Sequence, residues 1–224
     1  VLAVAGANAQ KCGNNLTWSL DSGVMTISGT GDMYNGMEPW LNKCMSITML
    51  NFPDGMTSIG DSAFFECSSL ANISIPSGVT NIGDRAFVDC THLTSVTLPS
   101  GLTDIGHYAF EDCARLTGVE LPSGLTDIGR GAFQHCASLK DVTFPASLTS
   151  IGEQAFDDCS SLTSIALPSG ITCIQDETFE GCAGLTSIAI PGSVKSVMNG
   201  AFAGCTVLAD VYYGGTENDW SAIQ

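Results

Sequence analysis

Positive charge is scarce in this chain of 224 residues. Seven lysines and arginines stand against 23 aspartates and glutamates, a formal charge of −16 at pH 7. A phosphate backbone attracts stripes of Lys and Arg and repels such a surface, so nucleic acid is excluded as a partner. Charge of either sign is thin, at 13% of residues, while 44% are apolar. That is the reverse of the composition that keeps a chain disordered. Long apolar runs are missing too: the longest covers residues 1–7, well short of the roughly 18 residues a spanning helix needs. Membrane insertion is therefore not expected. Also missing are a P-loop, a GxSxG elbow, an HExxH pair and a glycine-rich dinucleotide turn. A catalytic site normally interrupts a regular sequence with a polar insertion, and residues 44–205 contain none. No catalytic residue, cofactor or metal is expected.

What the chain does have is cysteine at a constant interval. Cys44, Cys67, Cys90, Cys113, Cys136, Cys159, Cys182 and Cys205 are each separated by 23 residues, with only Cys12 and Cys173 outside the series. Zinc sites and small disulfide frameworks cluster their cysteines at short, unequal spacings. A constant interval marks an internal repeat. Pro53 to Pro191, Phe64 to Phe202 and Leu70 to Leu208 form three further columns with the same step.

The unit spanning residues 93–113 serves as an example of one rung. Val96 and Leu98 alternate with Ser95 and Thr97, the period of a strand. Pro99-Ser100-Gly101 then stops it. Leu102 and Ile105 mark a second short extended stretch. Residues 106–113 have room for about one to two turns of helix or 3₁₀ structure. Leu93, Val96, Leu98, Leu102, Ile105, Ala109, Phe110 and Cys113 are the inward candidates. One rung cannot bury its apolar face alone, so the rungs must stack, each strand bonded to the next.

The stretch LTSVTLPSGLTDIGHYAFEDC resembles the 23-residue BspA-like leucine-rich repeat, also called the Treponema pallidum type, and the likeness runs from residue 44 to about 210. It implies parallel strands along one face of a curved solenoid. It also implies a surface or secreted protein of bacteria or some protozoa, several members being regarded as adhesins for host proteins or other cells. The departures are local: Gln175 and Met198 stand in the Gly column, Thr178 in the Ala column, and Ala146-Ser147 where other rungs have Ser-Gly. The expected fold is an α/β-type repeat solenoid with a β-hairpin cap before it and an aromatic cap after it.

At the N-terminus, Leu16, Trp18 and Leu20, then Asp21-Ser22-Gly23, then Met25 and Ile27 read as the hairpin. The segment CGNNLTWSLDSGVMTISGTGDM also resembles the module that precedes such repeats. At the other end, DVYYGGTENDWSAIQ resembles their closing segment, with Tyr212, Tyr213 and Trp220 as its rings. Residues 1–10 are small and apolar, and Ala7-Asn8-Ala9 has the form of a signal-peptidase site. The expected division is thus a signal-peptide remnant at 1–10, a capping module at 11–43, about seven repeats at 44–209 and a closing segment at 210–224.

The cysteine column is expected to hold buried free thiols, since cysteine suits a tight apolar column. Disulfides between adjacent rungs are within reach by Cα distance but need converging Cβ vectors, a secreted setting would favour them, and a Cys12–Cys44 disulfide is also left open. Cys173 falls in the column of Asp104, Asp127 and Ser150 and should face solvent. His135 falls between Asp112 and Asp158 on neighbouring rungs, with Glu66, Asp89, Glu111, Asp157 and Glu180 in the same or the adjoining column. A metal or acid–base cluster is conceivable there, but a solvated acidic face is the plainer expectation. The outward positions of the strands carry Asn72, Ser74, Ser95, Thr97, Glu120, Asp141, Thr143, Ser164, Ser187 and Tyr212, and these are the candidate partner-binding residues. The function expected is secreted or cell-surface adhesion to an extracellular or host protein, with a glycan as the lesser partner. The alternative is a passive spacer or display stalk.

Overall fold

The period-two alternation closes at proline in every rung. Ser95–Thr97 runs exposed, buried, exposed, and beyond Pro99 the Leu102 N–H turns back to the Pro99 carbonyl at 3.1 Å. The computed structural model describes residues 10–36 and 39–223. Ala7-Asn8-Ala9 and the signal-peptide reading lie outside the described residues, apart from Gln10 in the first strand.

Each rung meets the next along three lines. The first line holds the strands Met49–Asn51, Asn72–Ser74, Ser95–Thr97, Gly118–Glu120, Asp141–Thr143, Ser164–Ala166, Ser187–Ile190 and Asp210–Tyr213, all parallel where paired. The second holds shorter strands such as Asp104–Ile105 and Asp127–Ile128, in parallel register Asp104↔Asp127 and Ile105↔Ile128. Both lines lose ladder pairing between the rungs of Asp141–Thr143 and Ser164–Ala166. The third line is built from turns and does not break. Along it, the N–H groups of Tyr108, Phe110 and Asp112 donate to the carbonyls of Arg130, Ala132 and Gln134 at 2.7, 2.8 and 2.9 Å. The same pattern recurs from Ser62, whose N–H reaches Asp84, to Gly181, whose N–H reaches Ala203.

That third line corrects the α/β expectation. A helical turn would spend every N–H within its own rung. Here alternate N–H groups serve the next rung, while Ala109, Glu111 and Cys113 bond three residues back. Alternation of this kind needs left-handed backbone at Tyr108 (φ 58°) and Asp112 (φ 57°), and at the same two positions in neighbouring rungs. The rungs are therefore a β-solenoid. The helices among the described residues lie outside them: the 3₁₀ turn Leu41–Ser46 and α1, Glu217–Ser221.

The core between the lines is a set of stacked columns. Phe64, Phe87, Phe110, Phe133, Phe156 and Phe179 are fully buried, and adjacent rings from Phe64 to Phe202 stack at 5.3–5.7 Å with planes within 6–13°. Beneath them, each thiol donates to the phenylalanine carbonyl of the preceding rung, as Cys136 Sγ does to Phe110 O at 3.2 Å. Leu98 is only half-buried, less than expected. So are Phe202, Cys205 and Leu208, because no rung stacks beyond theirs.

At the other end, β1 (Gln10–Lys11) pairs with β2 (Gly13–Asp21), and β2 forms an antiparallel hairpin with β3 (Val24–Met33). Its turn, Ser22 and Gly23, has positive φ at both residues, the mirror-image turn that suits strand twist. The β3 strand pairs in parallel with β4 (Met49–Asn51) and β5 (Met56–Ile59), so the hairpin lies on the first rung. Trp18 meets Trp40 edge-on at 5.1 Å, and Trp40 continues the phenylalanine stack. The buried Trp40 indole donates to Ala63 O at 2.7 Å, supplying the donor that a preceding rung's backbone would bring.

Cysteine pairing is a second correction. Cys44 and Cys67 form a disulfide between neighbouring rungs, with Cα atoms 4.2 Å apart. Cys44 is thereby unavailable to Cys12, which is fully buried. Cys90, Cys113, Cys136, Cys159 and Cys182 remain buried thiols as expected, and Cys173 is half-buried.

The stacked core predicts that Phe133→Ala lowers unfolding free energy by about 3–5 kcal/mol, against about 0.5 kcal/mol or less for exposed Ser100→Ala, measured by denaturant titration. A Cβ at Gly129 would lie 2.7 Å from backbone atoms of Gly106 and His107, whereas one at Gly118 meets nothing within 4 Å. Gly129→Ala should cost about 1–3 kcal/mol and Gly118→Ala almost nothing.

Burial also pushes the Cys90 thiol up to about 12 and the Cys113, Cys136, Cys159 and Cys182 thiols far above the ordinary range. Thiol reagent at mildly alkaline pH should therefore modify Cys173 first and reach those five only after denaturation. Rapid native labelling of the five would show that the column is open.

Candidate functional site

Two surfaces gather the polar chemistry. The first is the outward side of the strand line. Asn72, Ser74, Ser95, Thr97, Glu120, Asp141, Thr143, Ser164 and Tyr212 are exposed there, and Ser187 is half-buried. Register sets them in two rows, with Asn72 beside Ser95 and Gly118 beside Asp141 in one, Ser74 beside Thr97 and Glu120 beside Thr143 in the other. Ser95 Oγ donates to Asn72 Oδ1 at 2.6 Å, and Thr94 Oγ1 donates to the same oxygen at 3.1 Å. The middle of this face forms an open groove of about 1070 Å³ across the strands Ser95–Thr97, Gly118–Glu120 and Asp141–Thr143.

The second surface is the acidic corner along the turn line. The His135 imidazole sits between rungs, with Nδ1 3.2 Å from Asp112 Oδ1 and Nε2 3.8 Å from Asp158 Oδ2. His135 forms two separate groups, one with Glu111 and Asp112 and one with Asp157 and Asp158, and within each group the ligand atoms lie within 4.8 Å of one another. Asp157 accepts from Gln134 Nε2 at 2.8 Å, and Glu177 from Gln154 Nε2 at 2.6 Å. The structure thus brings together the residues that the sequence placed in neighbouring columns. They line the surface at partial exposure, without an enclosed cavity. Burial and mutual repulsion hold the Asp89, Glu111 and Asp157 carboxyls above their usual range; for Asp89 the repelling neighbours are Asp112 and Glu66.

Sequence reasoning missed a third feature, a ladder of side chains that accept backbone N–H groups. Asp61 Oδ1 takes the Asp84 N–H at 2.9 Å, Asp84 Oδ1 takes His107 at 2.7 Å, and His107 Nδ1 takes Arg130 at 2.9 Å. This bond assigns the His107 Nδ1 lone pair to the backbone, so His107 holds rungs together. The column of acceptors in the sequence was the available signal. Beside it, Arg130 pairs with Glu153 at 3.2 Å, and a shallow polar cavity of about 650 Å³ there is lined by residues that include Asp104, Asp127, His107 and Arg130 with Gly106, Gly129 and Gly152.

Residues 39–149 and 126–218 match the model of the BspA type leucine rich repeat region, in 6 copies. Among solved structures, the chain is similar to the leucine-rich repeat protein of Treponema pallidum, with 33% identity, a TM-score of 0.65, and coverage of 87% of this chain and 88% of that one. It is also similar to a leucine-rich repeat protein from Bacteroides ovatus, with 30% identity and a TM-score of 0.72 over 88% of this chain. The chain spans about half, 51%, of the length of that protein. No curated protein matches it.

The acidic corner predicts an inverted pH response. A carboxyl whose pKa is raised by folding takes up its proton in the native state first, so stability is full below the ordinary carboxylate range and falls as pH rises through the raised values. This corner should therefore add to the melting temperature as pH is lowered from neutrality through the raised values into the ordinary carboxylate range. Asp219 is the exception, held below its usual range by the Thr216 hydroxyl and N–H, and its contribution is lost only at lower pH. Asp89→Asn should gain about 0.5 kcal/mol at pH 7.5 by removing a like charge between Glu66 and Asp112, and should reduce the pH response. An Asp89→Asn variant whose melting temperature changes with acidification just as the parent's does would contradict this account.

Proposed function

The chain belongs to the BspA-type leucine-rich repeat family, and from that premise we propose that it is a secreted or cell-surface protein that binds another protein, without catalysis, through the outward side of its strand line. One observation carries the reading: a broad surface of rung-aligned side chains, short and already fixed by the backbone beneath them. A rigid surface of this kind loses little conformational entropy on binding. In the acidic corner, by contrast, several carboxylates are already engaged with His135, Gln134 and Gln154.

Leucine-rich repeat proteins generally bind other proteins, and no helix among the described residues is long and apolar enough to cross a membrane. Secretion draws on the small apolar residues 1–10. We take the hairpin module at 11–43 and the segment at 210–224, where Tyr213 meets Trp220 at 5.2 Å, as the two end modules of the array. Tyr212 is the one ring on the strand face, which ranks a protein partner above a glycan, since sugars are gripped by exposed aromatic platforms. The same lack of aromatic and arginine anchors favours the second reading, a passive spacer.

The test is affinity capture of the purified chain against a panel of purified extracellular-matrix proteins and glycans. Ser95→Arg with Thr143→Arg should abolish capture of whatever the panel reveals while leaving the melting temperature nearly unchanged, because both side chains are exposed. Asp89→Ser with Asp157→Ser should leave capture intact. A blank panel would favour the spacer, and loss of binding only in the acidic-corner pair would move the site.

A further inference from the structure

The strand face has a shape and a charge that narrow its partner. Its outward rows hold three ionisable acids, Glu120, Asp141 and Asp210, and no lysine or arginine. At the middle of the groove, Gly118 interrupts the row of Asn72, Ser95 and Asp141, and space above its Cα is open. The interruption makes a notch one side chain wide. Asp141 borders it on the next rung, and Glu120 borders it two residues along the same strand.

Both carboxylates are exposed, and neither takes part in an ion pair or hydrogen bond among the described residues. Lys140, next to Asp141 in sequence, occupies the adjoining column of Thr94 and Thr117 and makes no ion pair. In the acidic corner the situation is different: His135 contacts Asp112 and Asp158, and Gln134 and Gln154 contact Asp157 and Glu177. Acids of the corner such as Glu66, Asp89 and Glu111 also lack an ion pair, but they crowd one another, whereas the strand-face pair borders an open groove, on a chain whose net charge of −16 draws cations from a distance.

We propose, resting on the strand-face reading above, that this groove takes a basic polypeptide segment, with a partner arginine or lysine seated over Gly118 between Glu120 and Asp141. An extended segment lying along the strands suits the face, since its alternate side chains repeat at about the two-residue spacing that separates Gly118 from Glu120. A guanidinium suits the notch best, because its planar fork can engage two carboxylates at once. Charge complementarity of this kind adds on-rate and orientation to the shape of the groove.

The probe is a fluorescein-labelled peptide of about ten residues alternating arginine and serine, read by fluorescence anisotropy with the full chain. Glu120→Gln with Asp141→Asn should weaken its binding about 10-fold or more. Asp89→Asn with Asp157→Asn, which removes the same charge elsewhere, should weaken it less than about 2-fold. Gly118→Leu should weaken it about 10-fold, with an unchanged melting temperature, by filling the notch. Equal losses in the two charge-matched pairs, equal binding of a glutamate–serine peptide, or no binding of the arginine peptide would each overturn the proposal. If the arginine peptide fails while Ser95→Arg with Thr143→Arg still blocks a panel partner, the basic-partner inference falls and the strand-face reading stands. If that double variant also binds normally, both fall.

Discussion

The unbroken line of turn-to-turn hydrogen bonds is the constraint on which the rest of the structure depends. Both strand lines lose pairing between the fifth and sixth rungs, yet the turn line carries Gln154, Phe156 and Asp158 across the same junction onto Asp176, Thr178 and Glu180. Each link holds one rung over the next in a single register. Any side chain in the turn must then lie over its counterpart 23 residues away, and the fully buried phenylalanine stack follows. So does the role of the thiols, each giving a buried phenylalanine carbonyl a second donor besides the cysteine N–H of its own rung. Thr178, the buried polar residue of the core columns, obeys the same rule by donating to Gln175 O at 2.9 Å.

This register has a cost at the surface. Stacking that aligns phenylalanines also aligns Glu66, Asp89 and Asp112, and like charges one strand spacing apart repel. The chain relieves part of the repulsion by placing His135 between Asp112 and Asp158, and part by using Gln134 and Gln154 as neutral donors to Asp157 and Glu177. What remains appears as carboxyls held above their usual range. Non-glycine residues in left-handed backbone at Tyr108, Asp112, His135 and Asp158 add a local strain of order 1 kcal/mol each, offset by the inter-rung bonds this conformation permits.

On the strand face the same register produces rows in place of a pocket. Each rung offers two outward side chains, and most are small, so the contour of the face is decided by exceptions such as Met49, Glu120, Asp141, Asp210, Tyr212 and the missing side chain of Gly118. Under the proposed function, what a partner can contact depends on where those exceptions fall, with the threonine and serine rows providing a level background. The rigidity that permits this comes from below, where Val96, Val119 and Val142 are buried beneath the exposed rows.

The columns of phenylalanine, leucine, proline and cysteine, the period-two strands and the outward rows were all legible in the sequence by itself, because a repeat writes its core as positions that recur and a strand writes its faces as alternation. The hairpin was legible for the same reason, through alternation around Asp21-Ser22-Gly23. Only the tertiary structure decided which donors each backbone group finds. The turn at residues 106–113 has the composition of a short helix, and what makes it a ladder is a neighbour 23 residues away that competes for alternate N–H groups. Eight equally spaced cysteines give no reason for one pair to differ, yet Cys44 and Cys67 are joined, Cys44 lying within the 3₁₀ turn Leu41–Ser46 that stands before the regular rungs. His107 and His135 look alike in sequence and have opposite surroundings, one accepting a backbone N–H and the other lying between two carboxylates. Residue type and spacing determine what can be buried, but partner choice depends on distance and direction in space, which local sequence does not encode.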